Sequence, residues 1–322
     1  MPRSLILSIA VISLALPAMP QQIEMTGPIS GFVFDQPSRS LRQVAGLPGA
    51  ARLSDALLEN IDWATIAPDG HAALLTRDTE TRLLLLKSAN HDPEGLPING
   101  LLASPALAAW SPDSSAVALY SPSTQEFQWL RLTTHGPIAD PPISAPSLPA
   151  IAASLVASAP SGPIFAAVPE AGIYRITDSH SAELLLELPA VSALALSNTG
   201  QTLWAADSAA ARIIEIASPA GEASPRTIFQ DEEKLAAVSA LAASPDARHL
   251  YIAARRLYVV ERTSESLPEG LELDTPATAL AQLGHPSVLT LGQREKKGDP
   301  LYVLDLKALP GLFFVPAGDG RQ

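Results

Sequence analysis

The chain has 322 residues, no cysteine, 47% hydrophobic residues and a formal charge of −12 from 21 basic and 33 acidic side chains. This length allows one large domain or two smaller ones, and a body of about 300 residues buries enough surface to form a core without disulfides or a structural metal. The acidic balance excludes nucleic acid as a leading partner, because phosphate backbones are held by clustered Lys and Arg; the densest basic group, Arg294, Lys296 and Lys297, is interrupted by Glu295 and reads as a solvated turn.

Met1-Pro2-Arg3 followed by the uncharged, mostly apolar Leu5 to Ala18 has the form of a secretory signal peptide over residues 1–20. Leu16-Pro17-Ala18 supplies a small residue for cleavage near residues 18–22, and loss of Arg3 leaves a still more acidic chain. The expected location is extracytoplasmic, periplasmic or secreted. The apolar stretch is shorter than the roughly 20 residues of a spanning helix. No stable membrane span is therefore expected after cleavage, and the lack of a cysteine near the cut excludes a bacterial lipoprotein anchor.

The first strand candidates are Gly31 to Asp35 and Leu41 to Val44. A repeat then begins: an apolar strand, a tight turn of small-Pro-Asp/Ser-small form, and further apolar strands. Its turns are Ala67-Pro68-Asp69-Gly70, Ser111-Pro112-Asp113-Ser114, the looser Ala159-Pro160-Ser161-Gly162, Ser197-Asn198-Thr199-Gly200 and Ser244-Pro245-Asp246-Ala247, with a degraded copy around Gly284. Proline presets φ, aspartate bonds the nearby backbone and glycine accepts positive φ, so each turn ends one strand and starts the next. The anchors at 68, 112, 160, 198, 245 and 284 lie 38 to 48 residues apart, about the length of a four-stranded propeller blade.

Each repeat opens with an inner-strand candidate: Asp62 to Ala67, Leu107 to Ser111, Leu155 to Ala159, Val191 to Ser197, Val238 to Ser244 and Ala277 to Leu283. Second and third strands follow, as in Leu250-Tyr251-Ile252-Ala253 with Leu257-Tyr258-Val259-Val260. Many short β-prone runs without helical periodicity predict an all-β fold. The N-terminal pair and the last strand, Leu312 to Val315, fall outside the six repeats. The expectation is one β-propeller over residues 27–316, with seven four-stranded blades. The two chain ends would share the seventh blade and close the ring by strand pairing, with six blades as the alternative. Residues 317–322 form a short tail.

At these turns and at Leu250-Tyr251-Ile252 and Leu301-Tyr302-Val303-Leu304-Asp305, the sequence resembles the bacterial WD40-like families with YVTN-type repeats. The resemblance implies a propeller and no particular activity.

Candidate chemistry is dispersed. His71, His91, His135, His180, His249 and His285 show no short metal-ligand spacing. Asp69, Asp113 and Asp246 share a place after proline that turn stabilisation explains. Asp231-Glu232-Glu233 reads as a solvated loop, and Trp63, Trp110, Trp129 and Trp204 as blade packing. No nucleophile elbow, phosphate loop or calcium loop occurs, so no catalytic residue, metal or cofactor is assigned. The leading expectation is a monomeric binding or scaffold propeller for a protein, peptide or glycan; the alternative is a secreted propeller enzyme, a lactonase or a cofactor-dependent dehydrogenase. The turns at Pro68, Pro112 and Pro245 should gather on one face. The longer connections, Ser88 to Ser104 and the proline-rich Thr133 to Ala153, should offer binding loops on the other, with Ile138 to Leu148 as the candidate segment.

Overall fold

The computed structural model describes residues 28–86, 95–160, 162–177, 182–273, 276–307 and 310–317. The expected signal peptide, His91, Ser161, His180 and most of the tail lie outside the described residues.

The apolar runs form antiparallel strands in seven sheets. The first blade contains β1 (Ile29–Asp35), β2 (Ser40–Ala45) and β3 (Arg52–Leu58). The second has β4 (Trp63–Ile66), β5 (Ala72–Arg77), β6 (Glu80–Leu85) and β7 (Leu96–Pro97). The third has β8 (Leu107–Trp110), β9 (Ala116–Ser121), β10 (Glu126–Thr133), β11 (Gly136–Ala139) and β12 (Ile143–Ser144). The fourth runs through β13 (Ser154–Ala157), β14 (Ile164–Val168), β15 (Gly172–Ile176) and β16 (Ala182–Glu187). The fifth has β17 (Val191–Leu196), β18 (Thr202–Asp207), β19 (Arg212–Ala217) and β20 (Ser224–Gln230). The sixth has β21 (Ala240–Ala243), β22 (His249–Ala253), β23 (Arg256–Glu261) and β24 (Leu271–Glu272). The seventh has β25 (Ala281–Gln282), β26 (Val288–Thr290), β27 (Leu301–Asp305) and β28 (Gly311–Val315). The expected inner strands of the six repeats are found as β4, β8, β13, β17, β21 and β25.

A single blade cannot cover both its faces, and here each is covered by the next. Phe32, Leu41, Ile61 and Leu84 join the first and second blades, and Leu74, Leu102, Val117 and Leu130 the second and third. Tyr120, Phe127 and Ile164 join the third and fourth, Phe165, Ile173 and Leu203 the fourth and fifth, and Trp204, Ile213 and Ile252 the fifth and sixth. Ala253, Leu257, Leu289 and Leu304 join the sixth and seventh. Val44, Leu53, Val303 and Val315 complete the circle between the first and seventh. The fold is a seven-bladed β-propeller. All four tryptophans lie in these inter-blade layers, with Trp110 Nε1 donating to Thr65 Oγ1 at 3.0 Å and Trp129 Nε1 to the Gly162 carbonyl at 3.3 Å.

Closure takes a different form from the expected shared sheet. β28 pairs with β27 in the seventh blade, β1 to β3 form a sheet of their own, and the two sheets meet by side-chain packing.

The repeated turns join first to second strands and collect on one face, the turn face. Gly70, Ser114, Gly200 and Ala247 have φ of 69°, 60°, 71° and 56°, and their N–H groups bond Ala67, Ser111, Ser197 and Ser244 carbonyls at 2.8 to 2.9 Å. Ser111 Oγ donates to Asp113 Oδ1 at 2.6 Å and accepts the Ala116 N–H, and Ser244 does the same with Asp246 and His249. The turn aspartates therefore act on local backbone and hydroxyls, as their position after proline implied.

The proline-rich connection of the third blade is not a free loop. β11 and β12 both pair with β10, one after the other, and Ile143, Ala145 and Leu148 enter the core. Gln128, fully buried, holds the connection in place: its amide donates to the Asp140 and Gly100 carbonyls at 2.7 Å, and its carbonyl accepts the Leu102 N–H at 2.8 Å. Replacing 138–148 would remove core, so this segment is unsuited to a binding loop that can be exchanged without cost. Nor do longer connections favour one face: 262–270 lies on the turn face, whereas 231–239 and 291–300 lie on the far face.

Candidate functional site

Two concavities bring polar side chains together. The first lies at the seam between the first and seventh blades. β1 ends in Asp35, a buried carboxylate whose Oδ2 is 3.2 Å from both Arg42 Nε and Arg294 Nη1 and also accepts from Ser38 Oγ. Arg42 reaches it from β2 and also donates to Ser40 Oγ and the Ser54 carbonyl. Arg294 comes from the 291–300 connection and donates through Nε to the Asp299 carbonyl at 2.6 Å. Arg294 was expected to be solvated; it is buried, whereas Lys296 and Lys297 are exposed. Burying these charges is tolerable because they are paired and hydrogen-bonded; removing one partner from such a cluster costs about 3–5 kcal/mol. Asp35 Oδ1 has no hydrogen-bond partner. The cluster borders a cavity of about 170 Å³ lined by Phe32, Phe34, Thr65, Gln282 and Thr290, among others.

The second concavity is a cleft of about 690 Å³ between the sixth and seventh blades on the turn face. His249 and Glu261 face each other across the β22–β23 ladder, the 262–270 connection adds Ser264, Glu265, Ser266 and Pro268, and Leu306 and Pro310 form the opposite wall. Tyr251 lies at its base, where burial pushes the phenol above its ordinary value, with Asp246 adding to the effect, so it remains neutral at physiological pH. Several polar side chains elsewhere are engaged, among them Arg131 with Asp140, Arg212 with Asp207, and Glu215 with Arg226 and Arg262. In the cleft, the side chains of His249, Glu261, Ser264, Glu265 and Ser266 make no hydrogen bond or ion pair among the described residues.

The other sequence candidates do not converge. His71 pairs with Asp69 at 2.8 Å on the surface, and His135 and His285 are exposed far apart. Asp231 accepts the Glu233 and Lys234 N–H groups, closing its own loop. Among the described residues, no group of three His, Asp or Glu side chains could hold a metal ion. Sequence reasoning passed over the seam cluster because Asp35, Arg42 and Arg294 come from opposite ends of the chain. It missed the cleft because the pairing of His249 with Glu261 depends on register.

Compared with profiles of known families and with curated proteins, the chain matches none. Among solved structures it is similar to a protein from Bacteroides uniformis named as a candidate 6-phosphogluconolactonase, with TM-score 0.59 and 16% identity over 90% of this chain and 97% of that one. It is also similar to a functionally unknown protein from Desulfotomaculum acetoxidans, with TM-score 0.57 and 13% identity over 89% of this chain and 99% of that one. At these identities the likeness is one of architecture, and it identifies the chain as a seven-bladed β-propeller.

Proposed function

We propose that the chain is an exported binding propeller that holds a basic peptide segment of a partner protein in the cleft between its sixth and seventh blades. The observation that carries this reading is the set of disengaged polar side chains around the cleft. Groups not used to hold the fold are free to exchange water for a ligand. Glu261 and Glu265 favour Lys or Arg, and the overall negative charge of the chain would speed encounter with a cationic partner. A glycan is less favoured, since none of the four tryptophans is exposed to act as a sugar platform. Membership of the WD40-like, YVTN-type group belongs to the same proposal, supported by Leu250-Tyr251-Ile252 in β22 and Leu301-Tyr302-Val303 in β27.

The test is fluorescence anisotropy with labelled basic, neutral and acidic peptides. The parent should prefer basic sequences, and Glu261→Gln/Glu265→Gln should lose at least tenfold in affinity; unchanged binding by the variant would remove the site. Export is tested separately by N-terminal sequencing of extracytoplasmic protein, which should begin near residues 19–23.

A second reading, lactone hydrolysis, rests on the buried Asp35 between two guanidinium groups and on the name of one similar structure. Turnover of 6-phosphogluconolactone by the parent, lost in Asp35→Asn with folding preserved, would favour it over binding.

A further inference from the structure

The cleft between the sixth and seventh blades is graded from rim to base. Residues two apart on a strand point to the same side of a sheet and stand roughly 7 Å apart along it. His249 opposite Glu261 therefore forms an outer row, next to the repeated turn, and Tyr251 opposite Val259 forms a second row one step deeper. The outer row is exposed, as is Glu265 in the 262–270 connection, and the negative charge of the cleft lies there. The deeper row is different. Tyr251 is 6% exposed, Val259 is half-buried, and Leu306 and Pro310 close the opposite side, so the base is mostly apolar.

One polar group stands in that base. The Tyr251 ring packs in the inter-blade layer with Leu289 and Leu304. Its hydroxyl makes no hydrogen bond among the described residues, and it is not sealed in the core as the Tyr120 hydroxyl is. Burial, and secondarily Asp246, raises the phenol pKa, so the base presents a neutral donor. The same desolvation disfavours a cation, because a Lys or Arg tip at Tyr251 would give up water while Glu261 stood a row away. A basic side chain is better held at the rim, where it keeps part of its water and meets Glu261 or Glu265. There it occupies a fraction of the 690 Å³ of the cleft, a size that takes a ligand of several groups.

We propose, on the footing that the cleft holds a basic peptide, that its base is a second subsite for an uncharged apolar side chain next to the Lys or Arg at the rim, with Tyr251 donating its phenolic proton to the main-chain carbonyl of that apolar residue. Tyr251 is then a specificity-determining residue, and the recognised unit is a pair, apolar beside basic. Each half of the site has its own task. Burial of the apolar side chain against Val259, Leu306 and Pro310 supplies affinity in proportion to area. The rim carboxylates supply encounter and orientation. The phenol gains a hydrogen bond on binding without breaking one inside the fold.

The experiment is fluorescence anisotropy on the full chain, with peptides of one length and one label in which Leu or Ser stands beside Lys or Glu. Leu beside Lys should bind about tenfold or more tighter than Ser beside Lys. Tyr251→Phe should narrow that gap by about threefold or more, because only the leucine peptide places a carbonyl at the phenol. Equal affinity of the two Lys peptides, with both preferred over the Glu peptides, would overturn the second subsite and leave the basic-peptide reading standing. No preference for Lys over Glu would overturn that reading and the subsite with it. A gap of the same size in Tyr251→Phe as in the parent would overturn the role of the phenol. If Tyr251→Phe does not fold, Leu306→Ser on the opposite wall should narrow the same gap, and a gap it leaves unchanged would place the leucine outside the base.

Discussion

Ser111 and Ser244 show how one hydroxyl organises a turn. Each donates to the aspartate two residues on and accepts an N–H at the start of the next strand. For Asp113, burial raises the carboxyl pKa, but hydrogen bonds from Ser111 and Ser115 outweigh it, and the group titrates below its ordinary value. Asp246 is lowered too, first by Ser244 and then by the Arg248 N–H. A carboxylate with a depressed folded pKa contributes stability above its unfolded value of about 3.9, and that contribution disappears as the pH falls through the lower folded value. Ser111→Ala should therefore move the Asp113 titration upward in NMR, so that its contribution is lost at a higher pH, and should cost about 1 kcal/mol at neutral pH. Gln128 is the opposite case, an amide whose partners no motif announces. Gln128→Ala strands the buried Leu102 N–H and removes the donor to the part-buried Gly100 and Asp140 carbonyls, and should cost about 1–3 kcal/mol in urea unfolding. The turn residues were legible because their chemistry is local. Gln128, Asp35, Arg42 and Arg294 were not, because what each does depends on a neighbour brought in by topology.

Strands were legible in proportion to how much of each is enclosed. Second strands such as β9, β14 and β18 are buried throughout or nearly so and read as apolar runs. β3 alternates, with Leu53 inside and Arg52 and Asp55 outside, and passed for a connection. β7, β12 and β24 have two residues each, too short for any periodicity. The proline-rich segment misled for a physical reason: proline lacks a donor but tolerates a sheet edge, and Pro137 lies in β11, the outermost strand of its blade, with Pro141 and Pro142 in the break before β12. The sequence pattern of a loop is, here, also that of an edge.

For the whole ring, six repeats were legible from spacing and the seventh blade from the strands left over at the chain ends, but the form of the seam was not, because the chain ends have no repeat beyond them to set their register. β28 brings Val315 into the seam core and covers the outer side of β27. Deleting residues 310–322 should lower the Tm by on the order of 10 °C, since a buried valine and a whole strand pairing are lost together; an unchanged melting curve would mean that the seam does not depend on β28. The seam also fixes how the molecule can be held. Pro28 enters at the turn face and β28 leaves at the far face, on opposite sides of a disc about one strand, or 17–20 Å, thick. A molecule held at Pro28 shows the far face outward, with the 291–300 connection uppermost. Tethered through residues after Ala317, it shows the turn face and the cleft at His249. The choice of attachment end therefore selects which of the two concavities meets the surrounding medium.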